Sequence, residues 1–183
     1  LMSRAVFYIL PNMNPVGSAR GHLRTNAAGV NLNREWAEPN MEKSPEVYLT
    51  LQKMMETGRD LALDVHGDEA MPYNFIAGAE GIPGWSDRLA GLQESFKSAY
   101  VKSSNGAFQT RFGYPISAAG KANLSICTNA LAERFDCLAM TLEMPFKDDA
   151  NHPDADYGWS PARCKALGAS ALSPILAVMS DLR

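Results

Sequence analysis

Two ionisable side chains stand at the ends of apolar runs that have the composition of buried strands. His66 ends the run DLALDVH, and Glu143 ends the run CLAMTLE. A histidine can bind a metal ion or move a proton, and a glutamate beside apolar surface can act as a general base. Either side chain would be costly to desolvate unless it is paired or bound to a metal. Taken alone neither residue is decisive, because a single histidine at a strand end is more often a structural residue.

A long polar segment between the first apolar run and the first helix concentrates arginine and asparagine. Ligands of open α/β sheets bind beyond the carboxyl ends of the strands, so a loop that reaches over this edge would face His66 and Glu143. A guanidinium group binds a carboxylate through two parallel hydrogen bonds, which makes the loop a candidate anion site. A solvated loop remains the alternative. The side chains concerned are Arg20, Arg24, Asn31, Asn33 and Arg34.

Predicted strands and helices alternate along the chain, which favours an α/β domain with a mixed, mainly parallel β-sheet flanked by helices. Ser44 and Ser160 each precede a proline, as is typical of a helix start. The predicted helices cover residues 44–58, 86–103, 124–135 and 160–182, and the predicted strands cover 4–10, 60–66, 73–77 and 137–143.

The first of these strands, Arg4 to Leu10, is rich in β-branched and aromatic residues and reads as a buried strand. It has two interpretations, an ordered strand at the start of the chain or an excerpt from a longer catalytic domain whose N-terminal strands are missing. The following residues, 11–40, are predicted to be mostly loop, and ordered loops of that length usually carry function.

The amino-acid composition limits the kinds of protein and of partner that fit this chain. The 183 residues are 46% hydrophobic and 20% charged with a net charge of -3, which is typical of one globular domain. Without a run of lysine or arginine, no nucleic acid or membrane partner is expected. The three cysteines lack a C-x-x-C spacing, which argues against a disulfide framework and favours a reducing, cytoplasmic location.

Four motifs in order resemble those of the zinc metallocarboxypeptidases of the carboxypeptidase A fold, and among them the cytosolic carboxypeptidase-like subgroup. They are N-P-x-G, R-x-N-x-x-G-x-x-L-N-R-x-W, D-x-H-G and T-L-E, and the resemblance spans about Phe7 to Met144. The resemblance implies that residues 1–183 form the C-terminal portion of a single catalytic domain. It also implies a zinc-dependent hydrolase that removes the C-terminal residue of a peptide or protein.

Residue by residue, the resemblance implies that His66 is a zinc ligand and that Glu143 is the general base for the metal-activated water. Arg24 would polarise the scissile carbonyl and stabilise the oxyanion. Asn33 and Arg34 would hold the terminal carboxylate of the substrate. The family also uses a mobile tyrosine, for which Tyr114 is the candidate and Tyr73 its rival.

The sequence departs from the family pattern in its metal ligands. Zinc in this family takes two histidines and one carboxylate, and the first pair comes from an H-x-x-E motif that the chain does not contain. By the order of the family's motifs, H-x-x-E is expected upstream of Leu1. The other histidines, His22 and His152, read as a loop residue and as part of an exposed acidic loop.

Two other functions stay open at this level. One is amide hydrolysis by a deacylase of N-acyl amino acids, a chemistry found on the same fold. The other is a non-catalytic fragment that binds a carboxylate without turnover.

Overall fold

A three-stranded sheet lies at the centre of the computed structural model, which describes residues 3–182. Its strands are β1 (Leu61–Asp68), β2 (Phe75–Ala77) and β3 (Leu138–Pro145). Within the described residues the strand order is β1-β3-β2, with β1 parallel and β2 antiparallel to β3. This mixed sheet confirms the predicted fold class and three of the four predicted strands.

Six α-helices and a short 3-10 turn are found in the described part of the chain. The prediction is confirmed for α2, α3 and α4, although α4 begins three residues later than expected. None of these helices is long and apolar enough to cross a membrane. The helices are α1 (Pro15–Arg20), α2 (Pro45–Thr57), α3 (Asp87–Ser103), α4 (Cys127–Phe135), α5 (Pro161–Ser170) and α6 (Leu172–Val178), and the 3-10 turn is Leu32–Arg34.

Helices cover both faces of the sheet, because successive side chains of a strand point to opposite faces. On one face, Ala139 of β3 packs in a cluster with residues of α2 and α4, including Leu51 and Leu131. On the other face, Met140 and Leu142 of β3 pack in a cluster with residues of α3, α5 and α6. The central strand β3 is therefore almost wholly buried.

The predicted strand from Arg4 to Leu10 is wrong for this structure. Residues 5–10 form no helix or strand, and the side chains of residues 6–10 are exposed; Val6 is 78% and Ile9 79% accessible. The local composition favours a strand, but a strand also needs a neighbour to receive its backbone hydrogen bonds. No described strand pairs with this segment.

The segment predicted as mostly loop contains the short helix α1. Asn14 caps its N-terminus by accepting a hydrogen bond from the backbone N–H of Gly17 at 3.0 Å, and Pro15 occupies the first turn. Gly21 ends the helix in the left-handed region, with φ at 72°. The residues that begin and end α1 are local signals that the sequence contains. A helix of six residues is nevertheless too short to show an apolar period in the sequence.

The single C-terminal helix predicted for residues 160–182 is two helices. Pro174 cannot donate to the carbonyl of Ser170, so α5 ends there and α6 begins at Leu172. The hydroxyl of Ser103 donates to that carbonyl instead, at 3.0 Å. The Ser160 cap is confirmed, since its hydroxyl accepts from the N–H of Arg163, whereas Ser44 precedes α2 without a side-chain cap.

Two leucines of α2 provide a matched test of this packing. Leu51 is 2% exposed and lies in the cluster shared with α4, whereas Leu49 is 56% exposed. Leu51→Ala is expected to lower the free energy of unfolding by about 2–5 kcal/mol because it leaves a cavity. Leu49→Ala is expected to change it by about 0.5 kcal/mol or less. Urea unfolding followed by circular dichroism measures both, and equal losses would contradict the described helix orientation.

Candidate active site

The register of β1 and β3 places the two candidate functional side chains side by side. His66 of β1 pairs with Glu143 of β3 at the carboxyl ends of the parallel strands. Both side chains therefore lie on the same face of the sheet. Asp64 and Thr141, two residues earlier on each strand, lie on this face as well. The sequence predicted a polar residue at the end of each of two strands, and the structure places these two residues next to each other.

Glu143 combines deep burial with incomplete hydrogen bonding. The residue is 5% exposed, and its Oε2 is buried without a hydrogen-bond partner. Burial raises the pKa of Glu143 above its ordinary value, although the neighbouring His66 and a hydrogen bond from Tyr114 oppose this effect. A carboxylate whose proton affinity is raised in this way suits a general base.

Tyr114 lies over Glu143 from an irregular, exposed segment, residues 111–120. Its hydroxyl is within hydrogen-bond distance of Glu143 Oε1, at 3.1 Å, and it also forms a short hydrogen bond to Asp68. Its ring meets Phe75 of β2 edge-on, with centroids 5.0 Å apart. Burial and the two carboxylates raise the pKa of Tyr114, so the phenol stays protonated. Its rival Tyr73 instead stacks on Phe112.

The 3-10 turn presents Asn33 and Arg34. The Asn33 side-chain oxygen accepts a hydrogen bond from the backbone N–H of Cys127 at 2.8 Å, at the start of α4. This bond fixes the orientation of the amide, because only the oxygen can accept, and leaves the Nδ2 group to donate elsewhere. Arg34 is exposed, and its guanidinium donates to the carbonyl of Asn33 at 2.6 Å.

Arg24 reaches the same region from the loop that follows α1. Its guanidinium donates to Glu69 at 2.6 Å, just after the end of β1. Both side chains are about half exposed, at 53% and 50%, so this ion pair is weak and can be exchanged for another anion.

One cavity of about 660 Å³ is lined by six residues, which are those that the family resemblance assigns to the metal, the water and the substrate, with Tyr114 as the candidate tyrosine. Its size falls within the range of small-molecule sites. The structure thus brings together the side chains from two strands, two loops and the 3-10 turn. They are Arg24, Asn33, Arg34, His66, Tyr114 and Glu143.

Sequence reasoning missed the carboxylates that hold these side chains. Asp64 Oδ2 lies 2.8 Å from His66 Nε2, and this hydrogen bond raises the pKa of His66 above its ordinary value, against the opposing effect of burial. Asp68 accepts from the phenol of Tyr114 and from the backbone N–H groups of Ala70 and Met71. The spacing D-x-H on a strand was a usable signal for Asp64, because residues two apart share a face.

The cavity contains one of the metal ligands that the resemblance implies. His66 offers a ring nitrogen, but within residues 3–182 no group of three or more His, Cys, Asp or Glu side chains is arranged to hold a metal ion. A catalytic zinc site takes three protein ligands, so the described residues fit one corner of such a site and not a complete one. The ring nitrogens of His22 and His152 lie 3.2 and 3.1 Å from the backbone carbonyls of Thr25 and Gly106.

Known proteins have a similar fold and a similar sequence, although no family model matches the chain. A metallo-carboxypeptidase from Pseudomonas aeruginosa, solved in complex with (2-guanidinoethylmercapto)succinic acid, superposes with a TM-score of 0.92 and 49% identity over 95% of this chain and 46% of that one. An uncharacterised protein of Zymomonas mobilis is 51% identical over 181 residues, which are 99% of this chain and 47% of the relative.

A shorter part of the chain matches a cytosolic carboxypeptidase. Cytosolic carboxypeptidase 1 of Danio rerio is 36% identical over 78 residues, which are 40% of this chain and 7% of that protein. The chain thus spans less than half the length of these relatives. At 49% identity and nearly full coverage of its own length, it is similar in sequence and structure to somewhat less than half of the Pseudomonas aeruginosa metallo-carboxypeptidase.

Proposed function

We propose that this chain supplies the general base, the substrate-carboxylate site and one metal ligand of a carboxypeptidase that hydrolyses the C-terminal peptide bond of a peptide or protein. The observation that carries the proposal is the cavity in which Glu143 and His66 meet Arg24, Asn33 and Arg34. Homology to metallo-carboxypeptidases supports the reaction class. Because the chain matches less than half of these relatives, the proposal concerns an enzyme of their length.

Glu143 is proposed to take the proton of the attacking water. Its buried, unpartnered Oε2 has free capacity to accept a proton, and its raised pKa increases proton affinity. The carboxyl group then passes this proton to the leaving amine, so the side chain returns to its starting state. A zinc ion bound by His66 and further ligands would make the water more acidic and polarise the carbonyl.

Arg34 and Asn33 are proposed to bind the terminal carboxylate of the substrate. The fixed orientation of the Asn33 amide leaves its N–H groups as donors, and the exposed guanidinium of Arg34 has further N–H groups beyond the one used within the turn. The ligand of the Pseudomonas aeruginosa enzyme is a dicarboxylic acid, which agrees with such a pocket.

Arg24 is proposed to stabilise the oxyanion that forms on the scissile carbonyl. Its present partner, Glu69, is exposed, so the guanidinium can leave it when a developing negative charge appears nearby. Tyr114 lies between Asp68 and Glu143 and is proposed to contact the substrate after it leaves these two carboxylates.

The general-base role is tested by Glu143→Gln, which keeps the shape of the side chain and removes the proton acceptor. We expect kcat to fall by about 10²- to 10⁴-fold, the usual contribution of general acid–base catalysis. Glu42→Gln, an exposed substitution outside the cavity, is the matched control and is expected to leave kcat unchanged. Hydrolysis of a free peptide by the enzyme with its metal bound gives both values. Wild-type kcat in Glu143→Gln with an intact fold would reject the role.

The carboxylate site is tested by Arg34→Ala with two matched peptides, one with a free C-terminus and one with a C-terminal amide. Loss of a charge-assisted hydrogen bond costs about 1.5–3 kcal/mol, so kcat/KM for the free peptide is expected to fall by about 10- to 150-fold. Arg34→Lys is expected to restore little of it, because lysine cannot donate two parallel hydrogen bonds. The exposed Arg20, at the end of α1, provides the control Arg20→Ala.

The amidated peptide and an N-acyl amino acid complete this test. The wild-type enzyme is expected to cleave the free peptide and not the amidated one. Equal cleavage of both peptides would argue against carboxylate recognition, and preferential cleavage of the N-acyl amino acid would favour a deacylase.

A further inference from the structure

The cavity extends from the proposed catalytic residues past the end of β2 to an ion pair that none of the roles above uses. Lys97 Nζ lies 3.5 Å from Glu80 Oε1, and both side chains line the cavity. Only 18% of the Lys97 side chain and 20% of the Glu80 side chain are exposed, so water solvates these charges in part. An ion pair in such a place adds little to stability, because desolvation offsets much of the attraction. A role in binding is therefore the better explanation for its position.

A second residue of α3 holds the carboxylate of this ion pair. The side-chain amide of Gln93, one helical turn before Lys97, donates to the same oxygen, Glu80 Oε1. Gln93 is 5% exposed. Gly78 makes room for this arrangement, because a Cβ at residue 78 would collide with the Gln93 amide and with Glu80 Oε2. Oε2 itself accepts no hydrogen bond from any residue that the structure describes.

Strand β2 leads from the proposed general base toward this ion pair. Phe75 pairs with Glu143, and Ala77 pairs with Thr141, two residues farther from the carboxyl end of β3. At about 3.4 Å per residue, Ala77 lies about 7 Å from Phe75, a distance that a long side chain can span. Ala77 and Gly78 both line the cavity, and their small size leaves space beside the sheet.

A bound peptide would place its terminal residue between two fixed points. Its carboxylate would lie at Asn33 and Arg34, and its last peptide bond would lie at Glu143. The rest of the peptide has to extend out of the cavity. The side chain of the terminal residue is therefore left with the part of the cavity that ends at Glu80 and Lys97. A few polar groups placed in this way commonly determine the specificity of a pocket.

We propose that Glu80 and Lys97 recognise the side chain of the terminal residue and select a primary amide, that of glutamine. The proposal rests on the proposed function and extends it to the class of substrate. The amide oxygen accepts from Lys97 Nζ, and the amide nitrogen donates to Glu80 Oε2, which has no partner among the described residues. Asparagine carries the same amide on a shorter side chain and reaches the ion pair less well.

Other side chains fit the ion pair less well. A carboxylate that approaches Lys97 meets the negative charge of Glu80, and an ammonium group that approaches Glu80 meets the positive charge of Lys97. Like charges placed side by side are unfavourable and reject the wrong partner. An apolar side chain displaces water from both groups and gives them no hydrogen bond in return.

Four peptides that differ only in the C-terminal residue test this selectivity. Glutamine is compared with glutamate, lysine and methionine, which are similar to it in length. The enzyme with its metal bound is expected to show a kcat/KM for the glutamine peptide about 10- to 150-fold above the others, the usual effect of a hydrogen bond to a charged group. Equal values, or a preference for any of the other three peptides, would overturn the proposal.

Two substitutions each leave one charge of the pair. Glu80→Gln leaves the positive charge and is expected to shift the preference toward the glutamate peptide, whereas Lys97→Met leaves the negative charge and is expected to shift it toward the lysine peptide. Glu94→Gln and Lys102→Met change the net charge equally at exposed positions of α3 outside the cavity, and they are expected to keep the preference for glutamine. An equal loss for all four peptides in both cavity variants would assign the ion pair to the fold and overturn the proposal.

Binding gives a readout that does not depend on hydrolysis. Glu143→Gln removes the proposed general base, and fluorescence anisotropy of the four labelled peptides with this variant, its metal bound, measures each Kd. The glutamine peptide is expected to bind most tightly, and the added substitution Glu80→Gln is expected to favour the glutamate peptide. If the wild type hydrolyses none of the peptides but this order holds, the proposed reaction is wrong and the amide selectivity stands. Absence of binding, or Kd values without this order, overturns the selectivity whether or not the peptides are hydrolysed.

Discussion

The parallel register between β1 and β3 is the constraint on which the site depends. It aligns Leu61 with Leu138 at one end and His66 with Glu143 at the other, so the apolar and polar ends of the two strands coincide. A shift of one residue would move His66 to the opposite face, away from Glu143 and into the cluster formed by α3, α5 and α6. The hydrophobic pattern that fixes the strands in the core therefore also places His66 beside Glu143.

Burial then sets the properties of the aligned side chains. Glu143 lies where a charge is poorly solvated, and the groups that stabilise the charge, His66 and Tyr114, come from a neighbouring strand and an irregular segment. His66 is held by the pairing of β1 with β3, whereas Tyr114 lies on a segment without regular structure. The strands therefore fix the positions of His66 and Glu143, and Tyr114 depends on residues 111–120 for its position.

The sequence predicted which side chains lie together in the cavity better than it predicted the edges of the fold. His66 and Glu143 could be found because apolar alternation marks strands and a polar residue marks their ends. The segment from Arg4 to Leu10 has the same local signal, but strand formation depends on a partner that local composition does not reveal. Asp68 and Cys127 were not predicted because their contacts to Tyr114 and Asp64 join residues distant in sequence. The break between α5 and α6 had a signal in the sequence, Pro174, since proline interrupts the hydrogen bonds of a helix.

The position of β1 in the sheet has a practical consequence for handling the chain. Among the described residues β1 has a neighbour on one side, and its other side carries a row of backbone N–H and C=O groups without a strand to pair with. Exposed strand edges can pair with a strand of another molecule. The exposed apolar side chains from Val6 to Leu10 add apolar surface that favours association. The chain is therefore expected to self-associate at high concentration, so its solution behaviour is best studied in dilute samples.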